Sequence, residues 1–312
     1  MRLGSIISSQ LPYCHLCDST VPEREVFARK DAWSYLRCSN CGLVLLHPVP
    51  DEESLKSYYN DSYKVDLDKY LRNIHRGSSP VLHDLKRYFP NRGRLLEIGC
   101  SYGGFLAEAR RDGWDVTGME LSETAAQYGR ERLHLRVFSG LDEIQQLGER
   151  YEVIAMFHVI EHLRASLQLL ESCRKLIRPG GLLLLKTPNI ESLIARITGS
   201  SWQWIYPPAH LYLYSPKSLA SLLRKAGYHL LTLRSAQGDA NNNLFALLSG
   251  VAKRVLRHSG TESLMQLRKS LSARMVAGAC GFVYFPFRVF IDPWLGSKLL
   301  QPELYAVASK AA

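Results

Sequence analysis

The chain has 312 residues, of which 46% are hydrophobic and 22% charged, and it carries a net charge of +10. That hydrophobic content excludes a disordered chain, and the length suits one sizeable core with a small appended module. Seven cysteines are too few for a disulfide framework at this size, and the N-terminal Met1-Arg-Leu-Gly-Ser-Ile-Ile-Ser-Ser9 has neither an export signal's apolar core nor its cleavage site, so a cytoplasmic location is expected.

The first predicted element is a metal-stapled module over residues 1–48. Cys14-x-x-Cys17 and Cys38-x-x-Cys41 are paired knuckles with the spacing of a four-thiolate tetrahedral zinc ribbon, with iron or a redox pair as alternatives. Zinc would replace the core that forty residues cannot build. His15 and His47 are substitute ligands but are expected to be solvated, and Cys100, Cys173 and Cys280 read as small buried apolar residues. Residues 49–93 have helical spacing and many tyrosines, as expected of helices packed over the mouth of the site that follows, before Pro90 and Gly93 punctuate the chain.

The next stretch is Leu95-Leu-Glu-Ile-Gly-Cys-Ser-Tyr-Gly-Gly-Phe105, then Val116-Thr-Gly-Met-Glu120. It predicts a strand over Arg94–Ile98, a glycine bend, a helix over residues 105–111, and a strand over Asp115–Met119 that ends at an acid able to hold ribose hydroxyls. A dinucleotide site needs G-x-G-x-x-G for its pyrophosphate, whereas here Glu97 stands where the first glycine would be. A carboxylate there favours a cationic ligand, and S-adenosylmethionine carries both an amine and a sulfonium.

On these residues the chain resembles class I S-adenosylmethionine-dependent methyltransferases. The resemblance implies an α/β, Rossmann-like doubly wound sheet of seven strands with the last antiparallel. It continues in Tyr151–Phe157 as fourth strand, His158-Val-Ile-Glu-His162-Leu beside the methyl donor, and Arg178-Pro-Gly-Gly181 leading to Leu182-Leu-Leu-Leu-Lys-Thr-Pro-Asn189 as a strand buried on both faces. The implied cofactor contacts are Glu97, Gly99, Cys100, Ser101, Gly103, Glu120, Leu121, Phe157 and His158. Two departures stand out. Glu152 occupies the usual Asp position, and the adenine-side acid is displaced to Asp142, which leaves backbone groups of Gly140 and Leu141 for that contact.

Methyl transfer requires alignment of the acceptor and, for a hydroxyl, removal of its proton. His158, His162 and His210 compete for that work. Ile205-Tyr-Pro-Pro-Ala-His-Leu-Tyr-Leu-Tyr-Ser215 resembles the acceptor loop of sugar-modifying methyltransferases, some of which also carry an N-terminal zinc-binding domain, so Tyr206 and His210 are the implied acceptor-side residues, with His158 as the alternative base. The chain has one residue more between Tyr206 and His210 than that pattern. His162 is expected to orient the loop, and Glu161 to be a capping or structural acid.

Ser215-Pro216-Lys-Ser218 marks a helix start, Gly227 its stop, residues 228–234 a strand, and Glu303–Lys310 the final strand. The expected organisation is therefore a zinc ribbon (1–48), a helical lead-in (49–93), a methyltransferase core (94–237), a helical insertion (238–300) and the last core strand (301–312). The insertion pairs a basic segment at 244–257 with an apolar one at 275–287, which is too short to span a bilayer and is interrupted by Pro286 and Pro293. Thirteen Lys or Arg stand against four Asp or Glu from Lys217 onward. An anionic partner, including peripheral membrane contact through 240–300, competes with packing on the core or a second subunit.

The expected activity is methyl transfer to a hydroxyl of a sugar, glycan precursor or other small, including lipid-linked, acceptor. A base methyltransferase of ribosomal or transfer RNA is the alternative, although an Asn/Asp-Pro-Pro-aromatic clamp is lacking, and a non-enzymatic scaffold is a third reading.

Overall fold

A computed structural model describes residues 12–22, 24–58, 80–236 and 301–310. The expected insertion at 238–300, with Cys280, and the middle of the lead-in, 59–79, lie outside the described residues.

Seven strands form the central sheet: β6 (Arg94–Ile98), β7 (Asp115–Met119), β8 (Arg136–Phe138), β9 (Tyr151–Phe157), β10 (Ile177–Pro188), β12 (Tyr228–Ala236) and β13 (Glu303–Lys310). Their spatial order is β12-β13-β10-β9-β6-β7-β8, with β13 antiparallel to both of its neighbours and the β10-β9-β6-β7-β8 run parallel. The strand residues alternate between two cores, as the two-residue period requires. Leu96, Ile98, Ile154, Met156, Leu183 and Leu185 face one; Leu95, Val153, Ala155, Leu182 and Leu184 face the other.

The helices divide between these faces. Helix α6 (Ser166–Leu176) and helix α8 (Pro216–Lys225) cover the first. The second is covered by a helical stretch over residues 80–88 and by α3 (Gly104–Arg111) and α4 (Glu123–Leu133). Ser215 caps α8 by accepting the Ser218 N–H, Pro216 occupies the first turn, and Gly227 at φ +79° ends it, all as the sequence predicts. Within the described part of the lead-in, Val81, Leu82 and Leu85 pack with Trp114 against the second face of the sheet, because their apolar period gives that stretch one buried face.

The N-terminal module is not a separate bead. Its strands β3 (Val26–Lys30), β4 (Trp33–Arg37) and β5 (Val44–His47) form a sheet whose fourth member, β11 (Tyr212–Leu213), comes from the loop over residues 205–215 of the core. Three more bonds clamp that loop: Leu46 N–H donates to the Leu211 carbonyl (2.8 Å), Lys30 Nζ to the Ile205 carbonyl (2.8 Å), and the buried Tyr35 hydroxyl to the His210 carbonyl (2.8 Å). His15 is partly buried rather than solvated; it packs on Tyr212 and pairs through Nε2 with Ser166 Oγ at 3.3 Å. Tyr35→Phe leaves the His210 carbonyl without that donor. We expect a loss of about 1–3 kcal/mol in stability, read by denaturant unfolding.

Candidate active site

The first strand ends in a bend that only small residues can form. Gly99 and Gly103 have φ of +72° and +79°, and a Cβ added to Gly99 would lie 2.5 Å from Val159. Gly103 also caps α3, whose first turn then begins beneath the bend. Across it, Glu120 accepts the Ser101 N–H (2.8 Å) and the Ser122 N–H (2.8 Å), which fixes its carboxylate over the strand ends.

Glu97 is buried in β6, and its Oε2 has no hydrogen-bond partner. Burial, with the Glu120 charge nearby, raises its carboxyl well above the usual carboxylate range. An orphaned acid beside a glycine cradle fits a cationic amine, and so the residues present suit S-adenosylmethionine. Ionising Glu97 for that amine releases a proton, so cofactor affinity should rise with pH. Glu97→Gln should weaken binding roughly 10–100-fold and abolish the pH dependence, as read by calorimetry in buffers of differing ionisation enthalpy.

The other positions named from the cofactor motif lie on this bend and after or at the ends of β7, β8 and β9. Cys100 is buried with its sulfur toward Gly118, where a Cβ would lie 2.7 Å from it. Leu121 is 74% exposed beside Glu120, Gly140 caps α5 (Leu141–Gln146), and Phe157 meets Phe105 edge-on at 5.0 Å. Glu152, the first departure from the family pattern, is structural: it accepts the Arg94 N–H (2.6 Å) and pairs with Arg178. Asp142, the second departure, lies exposed in the first turn of α5.

Next to the bend, at the carboxyl ends of β9 and β10, the histidines converge. His210 is buried; its Nδ1 faces the Trp204 carbonyl at 2.9 Å, and since a carbonyl only accepts, Nδ1 carries the proton and Nε2 keeps a lone pair. Burial, aided by His162, lowers its pKa to about 3, so the ring is neutral near pH 7. His162 Nδ1 donates to the Ala209 carbonyl (2.9 Å), which ties the turn after β9 to the loop over residues 205–215. Its ring meets His210 edge-on at 4.7 Å. Glu161 is not a helix cap. It is fully buried, and accepts Thr187 Oγ1 at 3.0 Å and pairs with His158 Nδ1 at 3.2 Å.

His158 adopts φ +55° and pairs through Nε2 with Glu303 at 3.3 Å, while its ring stacks on Trp204 at 5.0 Å and 7°. Burial opposes its charge, but Glu303 and Glu161 outweigh it and raise the pKa to about 10. Tyr206 is 44% exposed at the loop surface, with Lys30 Nζ 5.7 Å above its ring. Trp204 and Glu303 escaped the sequence reading. Trp204 belongs to no motif, and Glu303 reaches the site only because β13 inserts beside β10.

Cys14, Cys17, Cys38 and Cys41 bring four sulfurs within 4.8 Å of one another, with 3.5 Å between Cys14 and Cys41 and between Cys17 and Cys38. Burial pushes the thiols of Cys14 and Cys41 up, the latter to about 11. At Cys17 burial is outweighed by hydrogen bonds from Ser19 and neighbouring thiols, which bring it down to about 6. Four thiolates cannot share so tight and buried a cluster unless a cation offsets their charge, and tetrahedral Zn²⁺ with Zn–S of about 2.3 Å matches this spread.

The seven-stranded sheet with its antiparallel β13 and the glycine bend after β6 have the architecture of a class I methyltransferase domain. The family described as "Methyltransferase domain" matches residues 70–233, over half of the chain, and the chain belongs to it. It is 35% identical over 161 residues to a ubiquinone biosynthesis O-methyltransferase of Cereibacter sphaeroides, covering 46% of this chain and 64% of that relative. To the Dinoroseobacter shibae protein of the same name it is 31% identical over 177 residues, covering 52% and 70%. The chain thus spans less than two thirds of the first of these. Among solved structures, a SAM-dependent methyltransferase from Archaeoglobus fulgidus aligns over 83% of this chain and 99% of its own, with 18% identity and a TM-score of 0.45.

Proposed function

We propose that this protein transfers a methyl group from S-adenosylmethionine to a hydroxyl of a small acceptor: a sugar, a glycan precursor or another small molecule, lipid-linked ones included. Glu97, Gly99, Gly103 and Glu120 hold the cofactor, which when bound supplies the methyl group and a neutral thioether leaving group. The observation that carries the hydroxyl reading is His210, whose Nδ1–H is committed to the Trp204 carbonyl so that Nε2 keeps the lone pair that takes the acceptor's proton. Tyr206, exposed on the same loop, binds the acceptor. The relatives named for O-methylation support oxygen as the atom modified.

The cysteine cluster holds a structural Zn²⁺, and the acceptor loop rests on the module it staples. No helix among the described residues is long and apolar enough to cross a membrane. We place the protein in the cytoplasm, with peripheral membrane contact through 240–300.

Incubation with methyl-labelled S-adenosylmethionine and fractionated cell extract tests this reading. Label should enter a small metabolite, glycan or lipid, and label in RNA would establish the alternative instead. Glu120→Ala should weaken cofactor binding at least about tenfold, since two ribose hydroxyls lose a charged acceptor. An unchanged affinity removes Glu120 from the site.

A further inference from the structure

The two buried acids around His158 have no place in the scheme so far. His158 Nδ1 lies 3.2 Å from Glu161 Oε1 and Nε2 lies 3.3 Å from Glu303 Oε1, and both acids are almost fully buried. A neutral imidazole has one N–H and would turn a lone pair toward one of the carboxylates. With Glu161 accepting Thr187 Oγ1 and Glu303 paired with Lys186, both acids are ionised acceptors, and the geometry is then satisfied only when both nitrogens donate.

The ring is also pinned from other directions. Its backbone N–H donates to the Lys186 carbonyl at 2.9 Å, its φ of +55° places it in the left-handed region, and its face lies 7° from parallel to Trp204. A non-glycine residue persists there only when its surroundings over-determine it. Trp204 in turn supplies the carbonyl that fixes the His210 Nδ1–H, and its ring stacks on His210 at 5.5 Å and 18°.

We propose that Glu303 and Glu161 hold His158 as a permanent imidazolium, and that this cation positions His210 by anchoring Trp204, so that His158 and Glu303 are positioning residues and not the base. The charge gives Trp204 a cation–π partner in a site shielded from water. It also joins three segments far apart in sequence: the turn after β9, the acceptor loop and β13. The charged and titratable groups facing His158 are Glu161 on its own turn, Glu303 on β13, Lys186 on β10 at 3.5 Å from Glu303, and the rings of His162 and His210. The positioning role rests on His210 being the base; the protonation state of His158 does not.

Histidine-selective ¹⁵N NMR on the full chain tests the two parts separately. In the wild type, His158 should show two protonated nitrogens at pH 8, and His210 a single Nδ1–H tautomer. A neutral His158 ring at that pH overturns the proposal, whatever the acceptor is. In Glu303→Gln the carboxylate on Nε2 is lost, so His158 should titrate between about pH 6 and 9.

As pH rises through that titration, the His210 tautomer should become mixed and turnover should fall several-fold, while cofactor affinity stays unchanged. Glu303→Asp should restore the wild-type profile in part. If His158 titrates in Glu303→Gln while the His210 tautomer and the pH–rate profile stay as in the wild type, the positioning role is wrong. Should Glu303→Gln fail to fold, the wild-type spectrum still decides the charge, and Trp204→Phe, which keeps the carbonyl and removes the indole, decides the positioning by the same His210 tautomer signal.

Discussion

His210→Ala lowers turnover by about 10²–10⁴ while leaving S-adenosylmethionine affinity within about twofold. The expected rate loss is that of removing a positioned general base, and the intact affinity follows because His210 lies on the acceptor loop and not on the glycine bend. Single-turnover kinetics with cofactor titration separates the two quantities. The lowered pKa adds a pH signature. The ring must be neutral to accept a proton, and burial brings its pKa to about 3, so activity should vary little from pH 6 to 8 and fall only as His210 protonates at much lower pH. A variant that keeps full turnover would return the search for a base to the acceptor itself, since His158 lies between two carboxylates with neither nitrogen free to accept.

Removing the metal from the cysteine cluster, by chelation or by Cys38→Ser, should cost most of the module's stability. Apparent zinc-binding energies for such sites are about 10–16 kcal/mol, and among the described residues the four thiols are what draws β1 (Tyr13–Cys14) and the turn before β5 together. The effect should travel. Strand β11 pairs with β5, and Tyr35 and Lys30 hold the carbonyls of His210 and Ile205, so the acceptor loop loses its outer wall when the module opens. Limited proteolysis should cut within residues 202–214 in the metal-free protein and not in the loaded one. Cofactor affinity should change little, because the bonds described above tie the module to residues 205–213 and not to the glycine bend. A metal-free protein with the same melting temperature and an uncut loop would show that the thiols carry no structural ion.

These two expectations differ in how far the sequence alone supports them. The strands β6, β7 and β9 match their predicted bounds because each is a short, mostly apolar segment closed by a residue that breaks the run: Gly99 after β6, Glu120 after β7 and His158 after β9. The glycine bend, Glu97 and Glu120 were legible for the same reason: a backbone at positive φ and a buried acid are local demands, met by residue types few other roles would select. The cysteine pairs were legible through spacing alone. The state of each histidine was not, because a titrating ring answers to whatever charge surrounds it in space. His158, His162 and His210 look alike in the chain, yet one is held charged near a pKa of about 10 and another is driven to about 3.

By itself, then, the sequence determined the fold class, the glycine bend and the thiol cluster, since each rests on short-range patterns of polarity, backbone freedom and ligand spacing. Only the tertiary structure decided that the N-terminal module and the acceptor loop share one sheet, and that Glu303 closes on His158. The physical reason is chain separation. Backbone pairing between β5 and β11, and the charge that β13 brings to the end of β9, join residues whose proximity no local pattern encodes.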